Sequence, residues 1–449
     1  MRILLLTSSA RGHAIAEALA RSTPTPDIIN LCPTKNPGIR TIAAQQHVMD
    51  IMDFPAVLAI AKKVKPDFAF IGPDDPIGAG LADALAELGI PSVAPPKKLA
   101  KIESSKGFTR HLLQKYGIDA SPKFQVFEHP SNVSASAEKK AIRSYIEDTL
   151  YGEYVVKYDA LKGGKGVKLS GDHLDSIDAG VAYAIECLEE CGRVVIEEKL
   201  IGVEFSLLSF ASGMQVVDMP AVQDHKRAFE GDTGPNTGGM GTYTDADHSL
   251  PFLAPADLSR AKEINRLTAA ALEKECGDPY KGILYGGFIA VRDGIRVIEY
   301  NARFGDPEAL NLLPLLQSDF VELCQAIIDG TLTDDLASFE HTATVCKYIV
   351  PRSYPDNKEE KGQIVEFPKD IPANTRLYFG DITEDDAGAL HLGGSRTAGI
   401  VGIAGTIAEA ERIAESFCEQ AQGPVRFRKD IGTTELITQR TEMMKKIRN

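Results

Sequence analysis

The chain has 449 residues, 43 % of them apolar, and carries 49 Lys and Arg against 63 Asp and Glu for a formal net charge of −14. That length exceeds one hydrophobic core and implies two to four domains of about 100 to 200 residues in a soluble globular protein. The negative balance and the lack of a Lys/Arg-dense block exclude nucleic acid and an anionic membrane as expected partners, so a phosphate-bearing ligand must be small and met by locally placed groups.

The chain opens with an apolar run of four, residues 3–6, before Thr7-Ser8-Ser9; this is too short for a secretory signal and reads as a first buried strand. No stretch approaches the roughly 18 uninterrupted apolar residues of a spanning helix. The seven cysteines are scattered without a C-x-x-C pair, which fits reduced thiols in a cytoplasmic protein. A helix over 14–20, a strand over 68–71 and a helix over 81–88 predict a parallel sheet wrapped by helices. Its strand-end loops at 7–13 and 72–77 are where such sheets take ligands. Pro91, Pro95 and Pro96 mark a boundary near residue 100.

A helix over 105–121 follows, then a Pro/Ser linker and a helix over 139–149. Strands over 154–158 and 166–169, joined by a Gly/Lys-rich turn, precede a helix over 176–190 and a strand over 193–197. Strands 204–210 and 215–219 predict an antiparallel pair, and 284–292 with 295–300 a hairpin turning at Asp293-Gly294. Five glycines and Pro235 within 231–241 predict a stretch without regular structure. Residues 331–449, with strands near 342–350 and 399–403 and a helix over 407–422, read as a separate small α+β unit. The expected architecture is therefore multidomain, α/β and α+β: a parallel-sheet domain over 1–103, a central domain over 104–330 with a lid over about 121–192, and a small domain over 331–449.

Four segments could carry chemistry. In Val297-Ile298-Glu299-Tyr300-Asn301-Ala302-Arg303-Phe304-Gly305-Asp306-Pro307-Glu308, strand periodicity sends Glu299 and Asn301 to one face, where two oxygens could share a hard cation such as magnesium. Lys157 and Lys162-Gly163-Gly164-Lys165-Gly166 supply charge and backbone N–H groups suited to phosphate, without the spacing of a P-loop or a dinucleotide fingerprint. Residues 223–241, from Gln223-Asp224-His225-Lys226 to Gly238-Gly239-Met240-Gly241, read as a lid or substrate clamp. Val194 to Leu200 ends an apolar strand in acceptors and an aliphatic that could meet an adenine. Taken singly, each also reads as ordinary structure: a strand edge, a hairpin turn, a surface loop, a strand terminus. No nucleophile motif of the G-x-S-x-G kind appears.

In this order the segments resemble the ATP-grasp superfamily and, within it, the glycinamide ribonucleotide synthetase family, from residue 2 to Arg428-Lys429-Asp430-Ile431-Gly432. The most specific stretches are 223–241 and 301–308. The resemblance implies ATP between two antiparallel sheets. Lys106, Lys157 and the 162–166 loop would lie near its phosphates, Glu197 or Glu198 and Leu200 at its adenine, and Glu204 at its ribose. It further implies Mg2+ (or Mn2+) on Glu299 and Asn301. Arg303, Asp306 and Lys226 would be catalytic, with Asp224, Gly238 and Gly239 around glycine and its acyl phosphate. Arg11, His13 and Asp74 would take 5-phosphoribosylamine. A monomer or homodimer in the cytoplasm is expected. Where that family has G-x-G-G-R-E-H-A, this chain has Ser8-Ser9-Ala10-Arg11-Gly12-His13-Ala14. Gly287 stands where relatives often carry Gln or Glu, Leu310 replaces a Gln-like residue, and Tyr378-Phe379-Gly380-Asp381 replaces F-H-A-G. These departures keep two other readings open: a grasp ligase for a different amine or carboxylate, and a non-catalytic nucleotide-binding derivative.

Overall fold

The computed structural model describes residues 1–128, 135–162 and 166–449. The predicted phosphate-loop residues Gly163, Gly164 and Lys165 lie outside the described residues.

The N-terminal sheet is all parallel, in the spatial order Gln45–Val48, Asp27–Cys32, Arg2–Leu6, Phe68–Ile71, Ser92–Val93. Two of these strands were expected; the remaining three widen the sheet. After Arg2 the first strand is apolar because it is covered on both sides. Ile3 and Leu5 pack with Ala14, Ile15 and Leu19 of the helix Ala10–Ala20, whereas Leu4 and Leu6 pack with Val57, Ala61 and Leu81. That helix starts four residues earlier than its apolar pattern predicts because the Ser9 side chain caps it, accepting from the Gly12 N–H at 3.4 Å. The chain leaves the first strand in one direction and the fourth in the other, so their C-terminal ends open a crevice. Ser9, Arg11 and Asp74 stand there.

The expected helix over 105–121 is shorter, Lys106–Lys115, ending before Gly117 at φ 66°, and a separate helix, Lys97–Ser104, precedes it. Beyond it, a four-stranded antiparallel sheet runs Phe124–Glu128, Arg193–Glu198, Tyr154–Tyr158, Val167–Leu169. One face is filled by Ile142, Val181, Ala184 and Leu188 from the helices Ala135–Ser144 and Ile177–Cys191. A second antiparallel sheet runs Gln215–Asp218, Val203–Ser212, Lys281–Val291, Gly294–Asn301. Both hairpins match the sequence reading.

Two expectations need correction. The stretch 231–241 is not irregular: Arg227–Phe229 pairs with Thr233–Asn236 around a turn at Glu230–Asp232, where Gly231 (φ 67°) supplies the left-handed residue. Glycines at defined positive φ build a tight hairpin instead of breaking structure. Nor is the C-terminal unit self-contained. Its main sheet begins with Gln223–Asp224 and Gly241–Thr244 from the centre of the chain before continuing through Ala343–Pro351, Ala398–Ala404 and Thr375–Phe379. A last helix, Thr434–Arg448, was not foreseen; a bidentate pair of Arg448 with Asp257 (2.8 Å twice) ties its end down. No described helix is long and apolar enough to cross a membrane.

His13 belongs to this framework. It is buried, its ring lies edge-on to Tyr378 and stacked on Phe379, and its Nδ1 accepts from the Phe379 N–H at 3.1 Å. Burial pushes it down from 6.5 to about 4, so the fold holds it neutral. A base depressed in this way supports the fold fully above pH 6.5 and loses that support as pH falls toward 4. We expect lowering the pH from about 7.5 to 5 to cost roughly 2 kcal/mol through His13 and a similar amount through His225, also held at about 4 by burial. Urea unfolding at the two pH values measures the loss, and His13→Gln should halve it; an unaltered loss would show that His13 is not the titrating group.

Candidate functional site

The two antiparallel sheets, the N-terminal crevice and the C-terminal unit enclose one cavity of about 700 Å³. Its chemistry starts from the hairpin arm Gly294–Asn301. Gly287 pairs with Glu299 and Tyr285 with Asn301, and a bulge next to Gly287 takes up Ile298. Tyr300 turns into the core, donating to Asn265 Oδ1 (3.0 Å), while Glu299 and Asn301 on either side line the cavity. Burial alone would raise the Glu299 carboxyl, but Lys226, Lys106, Lys157 and Arg303 outweigh it and hold the group at about 2. Lys226 Nζ stands 3.7 Å from it. Among the described residues no three His, Cys, Asp or Glu gather as a metal cage. Two neighbouring oxygens, one ionised, instead suit a magnesium ion that keeps water and nucleotide phosphates as its other ligands.

Lys157, on the facing sheet, is 5 % exposed; its Nζ donates to Ile298 O (3.0 Å) and meets Glu197 Oε2 (2.6 Å). Arg110 grips the same carboxylate through Nε (2.6 Å) and Nη2 (3.0 Å) and also reaches Ile298 O (2.8 Å). Glu197 therefore faces inward as the partner of two cations, which corrects the adenine assignment of its side chain. Glu198 accepts from the Lys123 N–H (2.8 Å), and neither it nor Leu200 lines the cavity. The apolar wall comes from Val167, Leu169, Val203 and Ile298, with Glu204 beside them. Lys106 lines the cavity with Nζ 3.4 Å from Ala160 O. Lys162 and Gly166 stand at its rim, with Lys162 paired to Glu190 and 4.0 Å over the Tyr158 ring.

At the opposite end, Arg11 Nη1 donates to Phe304 O (2.6 Å) and its backbone N–H to Asp306 Oδ2 (3.3 Å). Asp306 also accepts from the Tyr348 hydroxyl (2.5 Å). Burial opposes its ionisation, but Arg396 and Arg11 hold the carboxyl below the usual range. Arg303 bridges Glu103 (3.0 Å) and Asn301 Oδ1 (3.3 Å). Asp224 lines the cavity, its carboxyl pushed well up by burial and by Glu308; Glu308 accepts from Tyr285 (2.6 Å). Gly238 lines the cavity and Gly239, next to it at φ 113°, does not. A Cβ on Gly239 would stand 2.5 Å from Pro307 Cδ and 2.7 Å from Asp224 Oδ1. Gly239→Ala is therefore expected to cost about 1 to 3 kcal/mol, read as a lower urea midpoint; an unchanged midpoint would show that the turn is not this tight.

The structure thus gathers Arg11, Asp74, Lys106, Lys157, Lys162, Gly166, Glu204, Asp224, Lys226, Gly238, Glu299, Asn301, Arg303 and Asp306 around one space, and leaves His13, Glu197, Glu198, Leu200 and Gly239 outside its lining. Sequence reasoning missed Glu103, Arg110, Tyr348 and Arg396. Only Arg396 had a local signal, the Gly393-Gly394 turn before it. Three buried donors of lining residues have no protein acceptor: Arg11 Nε, Arg110 Nη1 and Arg303 Nε. The cations Arg11, Lys106, Lys157, Lys226 and Arg303 on the walls of the cavity fit a polyanionic ligand.

Comparison with known proteins agrees with this geometry. Models of the phosphoribosylglycinamide synthetase N domain, ATP-grasp (A) domain and C domain match residues 1–103, 104–309 and 344–434. Similar proteins named phosphoribosylamine–glycine ligase occur in Methanosarcina barkeri, 45 % identical, and in Methanococcus maripaludis strain C7, 44 % identical, each match covering all of both chains. The crystal structure of phosphoribosylamine–glycine ligase from Thermotoga maritima superposes with a TM-score of 0.79 at 28 % identity, over 96 % of this chain and 100 % of that one. A biotin carboxylase from Campylobacter jejuni, 14 % identical with a TM-score of 0.71 over 99 % of this chain and 95 % of its own, shares the fold alone. The chain belongs to the phosphoribosylglycinamide synthetase family, with its ATP-grasp domain.

Proposed function

We propose that the chain is a ligase joining glycine to 5-phosphoribosylamine at the expense of ATP, giving glycinamide ribonucleotide, ADP and phosphate in de novo purine biosynthesis. The observation that carries the reading is the convergence of Glu299, Asn301, Lys157, Lys226 and Arg303 on one cavity in a member of this family. The similarly named, equally long relatives support it.

In this reading a glycine carboxylate oxygen attacks the γ-phosphorus in line, ADP leaves and glycyl phosphate forms. The phosphoribosylamine nitrogen then attacks the acyl carbon, phosphate departs and the amide loses its proton. Such chemistry needs charge neutralisation and alignment more than a protein nucleophile. A bound Mg2+ (or Mn2+) would screen the phosphate charge, and Glu299 and Asn301 are the residues to hold it. Lys106, Lys157 and the 162–166 loop neutralise the phosphates, while Val203 and Ile298 contact the base and Glu204 the ribose. Asp224, Lys226, Gly238, Arg303 and Asp306 surround glycine, and Arg11 and Asp74 take the ribosylamine phosphate end. Walls from the two antiparallel sheets, the N-terminal crevice and the C-terminal unit limit the access of water to the acyl phosphate. We assign the same domain limits as above, 1–103, 104–330 and 331–449, and a cytoplasmic monomer or homodimer acting on small molecules alone. The test is ADP release with phosphoribosylamine generated in situ: turnover must require both glycine and the amine, and release that needs neither would reject this substrate pair.

A further inference from the structure

We propose that Arg396, from the C-terminal unit, is the positioning residue that fixes the glycine clamp. The inference rests on the glycine-ligase reading above. Arg396 Nη1 lies 2.8 Å from Gly238 O, 3.0 Å from Gly239 O and 2.8 Å from Asp306 O, and Nη2 lies 3.4 Å from Asp306 Oδ1. Its guanidinium stacks 4.5 Å above the Tyr348 ring, and the Tyr348 hydroxyl donates to Asp306. Three carbonyls from two separate loops therefore point at one cation. Without it their negative ends would repel and the two loops would part.

Shape tells the same story. A Cβ on Gly238 would lie 2.9 Å from Arg396 Nη2 and 3.0 Å from its Cζ, so a side chain there would push the guanidinium out. Arg396 follows the Gly393-Gly394 turn and precedes the strand Ala398–Ala404, whose neighbour Ala343–Pro351 carries Tyr348 opposite Gly399. The sheet thus holds both the arginine and the ring beneath it. Among the described residues, the hydrogen bonds of this cation all go to Gly238, Gly239 and Asp306, and none to the sheet that carries Lys157 and Glu197. Loss of Arg396 should consequently disturb glycine and spare the nucleotide. A lysine cannot span three carbonyls and stack on a ring.

The experiment compares wild type with Arg396→Lys and Arg396→Ala in the coupled ADP-release assay. Loss of hydrogen bonds from a charged donor predicts about a 10- to 100-fold rise in KM for glycine, with KM for ATP and calorimetric MgADP affinity within about twofold of wild type. Added guanidinium at low millimolar concentration should partly rescue Arg396→Ala and leave Arg396→Lys unaffected. An unchanged glycine KM in Arg396→Lys would overturn the proposal, as would parallel rises in both KM values with weakened MgADP binding. If wild type itself releases ADP without glycine, the substrate reading fails first, and this inference falls with it.

Discussion

Glu299→Gln should reduce glycine-dependent ADP release by about 10²- to 10³-fold while leaving a folded protein. The substitution keeps the shape of the side chain and removes its charge. In the wild type that charge is the one acidic oxygen donor of the Glu299/Asn301 pair, and it is shared among Lys226, Lys106, Lys157 and Arg303. Held at about 2 despite burial, it contributes fully to stability above the ordinary carboxylate value near 4.5 and loses that contribution progressively as pH falls from there to about 2. The loss of activity should therefore persist unchanged between about pH 6 and 9. Apparent magnesium affinity, read by titrating the metal against bound-nucleotide fluorescence, should weaken in step. Turnover that survives the substitution, or a metal response identical to wild type, would remove Glu299 from the centre of the mechanism.

How far the sequence led depended on whether the determinant was local. The hairpin Lys281–Val291 with Gly294–Asn301 was legible because alternation, a turn dipeptide and a polar terminus lie within twenty residues. Glu299 and Asn301 followed from period two. Glu197 did not yield to the same reasoning. Its strand was read correctly, but which neighbours claim its carboxylate depends on Arg110, 87 positions earlier in the chain. For His13 the family resemblance implies a ligand role. Tyr378 and Phe379, more than 360 residues away, instead bury it. Those same two residues mark a departure from the family pattern, so the altered motif at one end of the chain and the altered N-terminal loop are in contact. The glycines of 231–241 were taken as breakers because their positive φ angles, which build a hairpin, cannot be read from composition.

The second large effect is expected at Lys157, where activity and stability should separate. Lys157→Met removes a cation from the cavity wall and leaves Glu197 with Arg110 alone, both carboxylate oxygens still bonded to the guanidinium. Breaking a buried pair outright costs about 3 to 5 kcal/mol. With Arg110 retained, the loss should be nearer 1 to 3 kcal/mol, the penalty of one unmet charged hydrogen bond. Activity should drop further, by about 10²- to 10³-fold, because a preorganised charge facing the phosphates is gone. Adding Glu197→Gln to Lys157→Met takes the carboxylate from Arg110 and leaves a buried guanidinium without its counter-charge, so the urea midpoint should fall further and turnover should stay low. Glu197→Gln alone should show the opposite balance, with Lys157 still present but held only by Ile298 O. If Lys157→Met loses stability but keeps ADP release near that of wild type, Lys157 serves the fold and the charge that meets the nucleotide must come from elsewhere in the cavity.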